Sequence, residues 1–191
     1  APSVRQWAAQ PLAELGIATT GLSGSSSGPM MGEQAGETVA LMPGQAVGAA
    51  LAIGDITLAG TGTVSQVDGR RVLAFGHPLL GLGEVEMPML AAEIVTILPS
   101  NLSSVKIANT GRVIGTVRQD RLSAIYGEIG PAPAMVPISV ITPERTLNFS
   151  AVRHPRITPM ITAIGLSQAI LGSNDAGLND GFAIKTRVEF A

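Results

Sequence analysis

Residues 60–75 read GTGTVSQVDGRRVLAF. Small and β-branched residues flank Asp68-Gly69, and Asp-Gly between two β-prone runs is the strongest short-range hairpin signal, because both residues tolerate the positive φ angles of a tight turn. Upstream, residues 46–67 (AVGAALAIGDITLAGTGTVSQV) form a long apolar and small-residue run broken only at Gly54-Asp55. Downstream, runs rich in Val, Ile and Thr recur at Ala92–Leu98, Ser104–Ala108, Arg112–Arg118, Arg121–Glu128, Met135–Ile141 and Thr146–Val152, each bounded by Gly, Pro or Asn. Short strands at such spacing argue for a barrel or a sandwich.

One helix interrupts this pattern. Thr158 followed by Pro159 reads as an N-cap and a first helical position, Met160, Ile164, Ser167 and Leu171 fall on one face, and Gly172 is the stop. The chain then closes with GFAIKTRVEF, where Phe182, Ile184, Thr186, Val188 and Phe190 alternate as in a half-buried terminal strand. At the other end, residues 21–36 (GLSGSSSGPMMGEQAG) have the composition of a linker. The expected organisation is an N-terminal segment and linker over 1–36 and a β-rich domain over 37–191. The start, Ala1-Pro2-Ser3-Val4-Arg5, has no initiator Met, basic n-region or apolar h-region and reads as processed or truncated.

Composition narrows the function classes. With 12 basic against 14 acidic residues and 3% aromatics, the chain lacks the basic stripe and stacking platforms that nucleic acid requires. The uncharged stretch Ile157–Asn174 contains Pro159, Gly165, Ser167 and Gln168, so no transmembrane span is expected. Zero cysteines removes thiolate catalysis, Cys-ligated zinc and disulfides without fixing the compartment. No cofactor is expected. The glycines between Gly54 and Gly69 suggest a phosphate loop only weakly, since neither a lysine nor a helix N-terminus follows them.

The chemically sharp feature is His77, in Phe75-Gly76-His77-Pro78-Leu79-Leu80-Gly81. Glycine permits a tight turn and proline fixes the next φ, so the imidazole sits on a stiff corner. That is what a general base needs, since geometry comes first and a pKa near neutrality second. The plainer alternative is a histidine hydrogen-bonded for packing. His154, in Arg153-His154-Pro155-Arg156, reads as a solvated loop residue, and the two histidines lack metal-site spacing.

The stretches GTGTVSQVDGRRVLAFGHPLLGLGEVEMPM, ILPS and GRVIGTVRQDRLSAIYGEIGPAPAMVPISV together resemble the SpoIVB-type serine peptidase family, particularly its relatives in bacterial envelope proteins, from about Pro43 to Val140. The resemblance implies a trypsin-like barrel or sandwich with one C-terminal helix and a closing strand, and a bacterial exported or envelope location. It also makes His77 the catalytic base that activates a serine. The family's nucleophile lies in a Gly-Met-Ser-Gly-Ser-Pro turn, after the histidine in the sporulation enzymes and before it in the envelope relatives. No such turn follows Val140, so the nucleophile is Ser23 in Gly21-Leu22-Ser23-Gly24-Ser25, is supplied from upstream, or is absent. Ser23 lacks the following proline and strand.

For the orienting carboxylate, Asp55 and Asp68 occupy turn positions, whereas Asp120 can serve or can pair with the neighbouring Arg118 or Arg121 at the surface. Two functions follow. In one, the chain is the histidine-bearing part of a serine endopeptidase acting on a protein or peptide substrate, released from a longer precursor and associated with its upstream fragment. In the other, it is a catalytically silent structural or binding subunit of an envelope complex, its low charge and seven methionines marking surfaces that a partner covers.

Overall fold

The computed structural model describes residues 40–98, 105–142 and 145–171. Ser23, the Gly/Ser-rich segment and the expected closing strand lie outside the described residues. The elements are β1 (Ala46–Gly54), β2 (Leu58–Asp68), β3 (Arg71–Ala74), β4 (Gly83–Leu98), β5 (Val105–Arg121), β6 (Ala124–Ile129), β7 (Met135–Ile141), β8 (Thr146–Val152) and α1 (Ile157–Leu171).

All eight strands belong to one sheet in the order β2-β3-β6-β5-β4-β1-β8-β7, and β1 pairs with β2 as well. Every pairing is antiparallel. Hydrogen bonding thus returns from β2 to β1, while β8 and β7 continue outward from the far half of β1, where Ala52–Gly54 pair with Phe149–Ala151. The eight strands do not close into a single barrel, nor do they divide into the two sheets of a sandwich.

The Asp68-Gly69 signal marks the β2–β3 hairpin, shifted by one residue. Asp68 is the last paired residue, opposite Arg71, and Gly69 opens the turn at φ 57°. Glycine with positive φ is what the first central position of a two-residue hairpin favours. Two strands run longer than the sequence pattern suggests. Ala92–Leu98 is the outer part of the 16-residue β4, and of the expected run Ser104–Ala108 the described part, from Val105, joins Arg112–Arg118 in the 17-residue β5, with bulges absorbing the irregular registers.

β1 meets β4 only at Met89–Ala91, and β6 meets β5 only from Gly115 onward. Among the described residues, the outer β4–β5 hairpin is therefore a two-stranded arm, and it exposes Ile94, Val95, Ile97 and Ile107.

The core gathers Val47, Leu51, Val64, Val72, Met87, Met89, Val117 and Ile125 from β1 to β6. Alternation explains much of this, as β3 shows with Val72 and Ala74 buried while Arg71 and Leu73 are exposed. α1 packs on β8 and β7. Its buried face is Ile157, Ile161 and Ala169, not the expected stripe, in which Met160 and Ile164 are only half-buried. The rotation arises at the N-terminus. Thr158 is not the residue before the helix but lies inside its first turn, with its hydroxyl bridging Val152 O (2.6 Å) and His154 N (3.0 Å). Ile157 joins the same core cluster as Phe149 and Val152, and the i, i+4 spacing carries the stripe onward from there.

Candidate functional site: the His77 corner

His77 lies in the loop between β3 and β4, and three features of the chain hold that loop. The first is backbone conformation. Phe75 and Gly76 both have positive φ, 78° and 74°, which turns the chain sharply out of β3. For an aromatic residue this conformation costs about 1–3 kcal/mol and persists only where the surroundings over-determine it. Here the Phe75 N–H donates to Thr63 O at 2.8 Å.

The second feature is a groove on β2. Gly60 and Gly62 lie on the same face of the strand, and a Cβ on Gly62 would overlap the Phe75 ring, as one on Gly60 would overlap the Leu79 side chain. The glycine-rich stretch thus makes room for the histidine loop; its concave face is filled by Phe75 and Leu79, which rules out a phosphate cradle there. Gly62→Ala forces the Phe75 ring aside and should cost about 2 kcal/mol, the scale of overpacking a filled site. Urea titration of the two proteins measures it, and unchanged stability would mean that the ring moves freely.

The third feature is Asp120, whose side chain is completely buried at 0% exposure. Its Oδ1 accepts the Leu79 N–H at 2.7 Å, and its Oδ2 accepts the N–H groups of Leu80 at 2.8 Å and Leu82 at 3.2 Å. Hydrogen bonds to an ionised acceptor are among the strong ones. Asp120 is in place because β5 pairs with β4 at Gly83 and with β6 at Ile125. The alternative of a surface pair with Arg118 or Arg121 is overturned: Arg118 pairs with Glu86 and Glu128, and Arg121 with Glu84. Nor does Asp120 hydrogen-bond the imidazole; it grips the backbone just beyond it.

Held in this way, the His77 ring is solvent-exposed and tilted against Phe75, with ring centroids 5.7 Å apart. Its Nδ1 lies 2.7 Å from Pro78 O. A carbonyl can only accept, so the contact is a hydrogen bond when Nδ1 carries the proton, and in the neutral ring Nε2 is then the basic atom.

The other sequence candidates are structural. Asp55 accepts the Asn148 N–H at 2.7 Å and, with its own N–H donating to Asn148 O at 2.9 Å, ties β1 to β8. Asp68 is an exposed strand-end residue. His154 is half-buried, not a freely solvated loop residue, and its Nδ1 accepts the Arg156 N–H at 3.3 Å in the connector into α1. Nearby on β6, the Tyr126 hydroxyl donates to Glu128 at 2.8 Å, and that bond, with a smaller contribution from burial, raises its pKa above the ordinary tyrosine value.

The sequence did not reveal the Pro78 carbonyl or the leucine amides as working parts, since backbone groups have no letter. One signal was available: Gly60 and Gly62, two apart in a strand, leave one face bare and imply that something bulky covers it. Among the described residues, no helix is long and apolar enough to cross a membrane, and no group of three or more His, Asp or Glu side chains is placed to hold a metal. Comparison of the chain with family models, curated proteins and solved structures yields no match.

Proposed function

We propose that this chain carries the general-base part of a SpoIVB-type serine endopeptidase centre, with His77 as the base. The observation that carries the reading is the constrained exposure of the imidazole: an exposed ring on a loop pinned by a buried carboxylate, with Nδ1 engaged and Nε2 left as the acceptor. In the proposed reaction, Nε2 takes the proton of a serine hydroxyl as Oγ bonds to the peptide carbonyl carbon. The imidazolium then returns that proton to the amine nitrogen as the C–N bond breaks, and water later releases the acyl group by the same base. The serine is Ser23 or one supplied by an upstream segment of the same precursor, and an exported or envelope setting follows from the same family resemblance. The six antiparallel strands β1-β2-β3-β6-β5-β4, paired round to β1, support a trypsin-like barrel as the finer description of that part of the sheet. Covalent labelling by a fluorophosphonate, with and without His77, tests this reading.

A second reading, a catalytically silent binding subunit, is favoured by the β4–β5 arm. Residues 94–98 (Ile-Val-Thr-Ile-Leu) contain neither charge nor proline, the usual guards of an unpaired edge, and Ile94, Val95 and Ile97 are exposed there. A second copy pairing through this edge is the simplest occupant. Light scattering should then report a species larger than one chain, restored to a monomer by Val95→Lys with Ile97→Lys. A monomeric wild-type chain would retire self-pairing.

A further inference from the structure

We infer that Asp120 orients and polarises His77 through the peptide group joining Pro78 to Leu79, a carboxylate–peptide–imidazole relay in place of a direct Asp–His contact. Both ends of that one peptide group are engaged. Its carbonyl oxygen, on Pro78, lies 2.7 Å from His77 Nδ1, and its N–H, on Leu79, donates to Asp120 Oδ1 at 2.7 Å. Hydrogen bonds in series strengthen one another by about 10–30% per bond, because each polarises the next. The buried charge on Asp120 draws the N–H, the amide resonance shifts electron density to the carbonyl oxygen, and that oxygen becomes a better acceptor for Nδ1–H.

The geometry of the peptide is fixed from both sides. Asp120 Oδ2 takes the next amide, of Leu80, and that of Leu82, so rotation of the Pro78–Leu79 peptide would break the clamp. On the other side, the Pro78 ring fixes φ of the residue that bears the carbonyl. In a direct triad the carboxylate holds the imidazole in its productive tautomer and stabilises the imidazolium. A relay keeps the tautomer and passes on part of the stabilisation while the carboxylate stays buried. Asp120 is accordingly a positioning residue. The relay serves the peptidase reading, yet its bonds can be measured without substrate, so the two stand or fall separately.

The chain has only two histidines, and their environments demand opposite tautomers. His77 Nδ1 faces an oxygen that can only accept, whereas His154 Nδ1 faces the Arg156 N–H, which can only donate. The test is 15N-edited NMR of the imidazoles at a pH where both are neutral. The expected result is protonation at Nδ1 for His77 and at Nε2 for His154; protonation of His77 mainly at Nε2 overturns the relay. A pH titration of the wild-type chain supplies the second half without any variant. As His77 gains its second proton, the Leu79 amide should shift with the same midpoint and by more than the Leu80 amide, because the imidazole's hydrogen bond is to the carbonyl of the Pro78–Leu79 peptide. An unresponsive Leu79 amide would show that no polarisation passes. In Asp120→Asn, provided the His154 signals are unchanged and so report a folded chain, His77 should lose its pure Nδ1–H pattern. An unchanged pattern in the folded variant removes Asp120 from the relay.

Discussion

His77→Ala should slow fluorophosphonate labelling by at least about 10²–10⁴-fold, the contribution of a positioned general base. The reagent reports on the nucleophile alone, since it phosphonylates a serine only when a neighbouring base has raised its reactivity. The experiment uses the full 191-residue chain and, alongside it, the chain extended at its N-terminus by the upstream segment. An adduct on Ser23 that disappears in His77→Ala makes the chain self-sufficient. An adduct that appears only in the extended chain, again dependent on His77, places the serine upstream. His154→Ala is the control and should label as the wild type does, because its ring nitrogen is committed to a backbone amide in the connector to α1. Equal labelling of wild type and His77→Ala, or none in either form, removes the base role and leaves the binding-subunit reading.

Asp120→Ala should be the most destabilising single change at the site, at about 3–5 kcal/mol. The loss goes beyond the hydrogen bonds themselves. Three amides, of Leu79, Leu80 and Leu82, lose their acceptor in a part-buried setting, and each unsatisfied donor costs about 1–3 kcal/mol, with less than full additivity because the loop relaxes. For a chain of this size the unfolding midpoint falls on the order of 10 °C. Asp120→Asn retains one carbonyl acceptor and should lose markedly less. Thermal unfolding followed by circular dichroism separates the three proteins. A midpoint for Asp120→Ala within a degree or so of wild type would mean that the loop is held by Phe75 and Leu79 alone.

The parts of the fold written in side-chain pattern were legible in the sequence. The β2–β3 hairpin is visible in Asp68-Gly69, the outer strands in their Val, Ile and Thr runs, and α1 in its uncharged stretch. The lengths of β4 and β5 were not, because Pro88 and Gly111 look like strand breakers by letter, whereas in the sheet Pro88 pairs with Thr116 and Gly111 falls in a bulge that the long strand spans. The return of hydrogen bonding from β2 to β1 depends on strand curvature, which composition does not encode. At the site, His77 was legible as a residue type on a stiff corner. Asp120 was visible only as an ambiguous carboxylate between two arginines, since nothing in Gln119-Asp120-Arg121 says that the middle side chain points inward. Plain alternation would put Asp120 on the exposed face of Arg118; the irregularity between Val117 and Gln119 in the pairing with β6 shifts the register and turns Asp120 inward, while Arg118 and Arg121 meet glutamates outside.

The clamp also has a consequence in time. Asp120 stands 38–41 positions beyond the amides it binds, on a strand that reaches its place only after β4 and β5 have paired. The histidine is therefore synthesised before the carboxylate that sets its loop. Until residue 120 has been made and docked, the corner lacks its anchor. Any chemistry built on this corner would become competent only once β5 is docked on β4 and the clamp is closed.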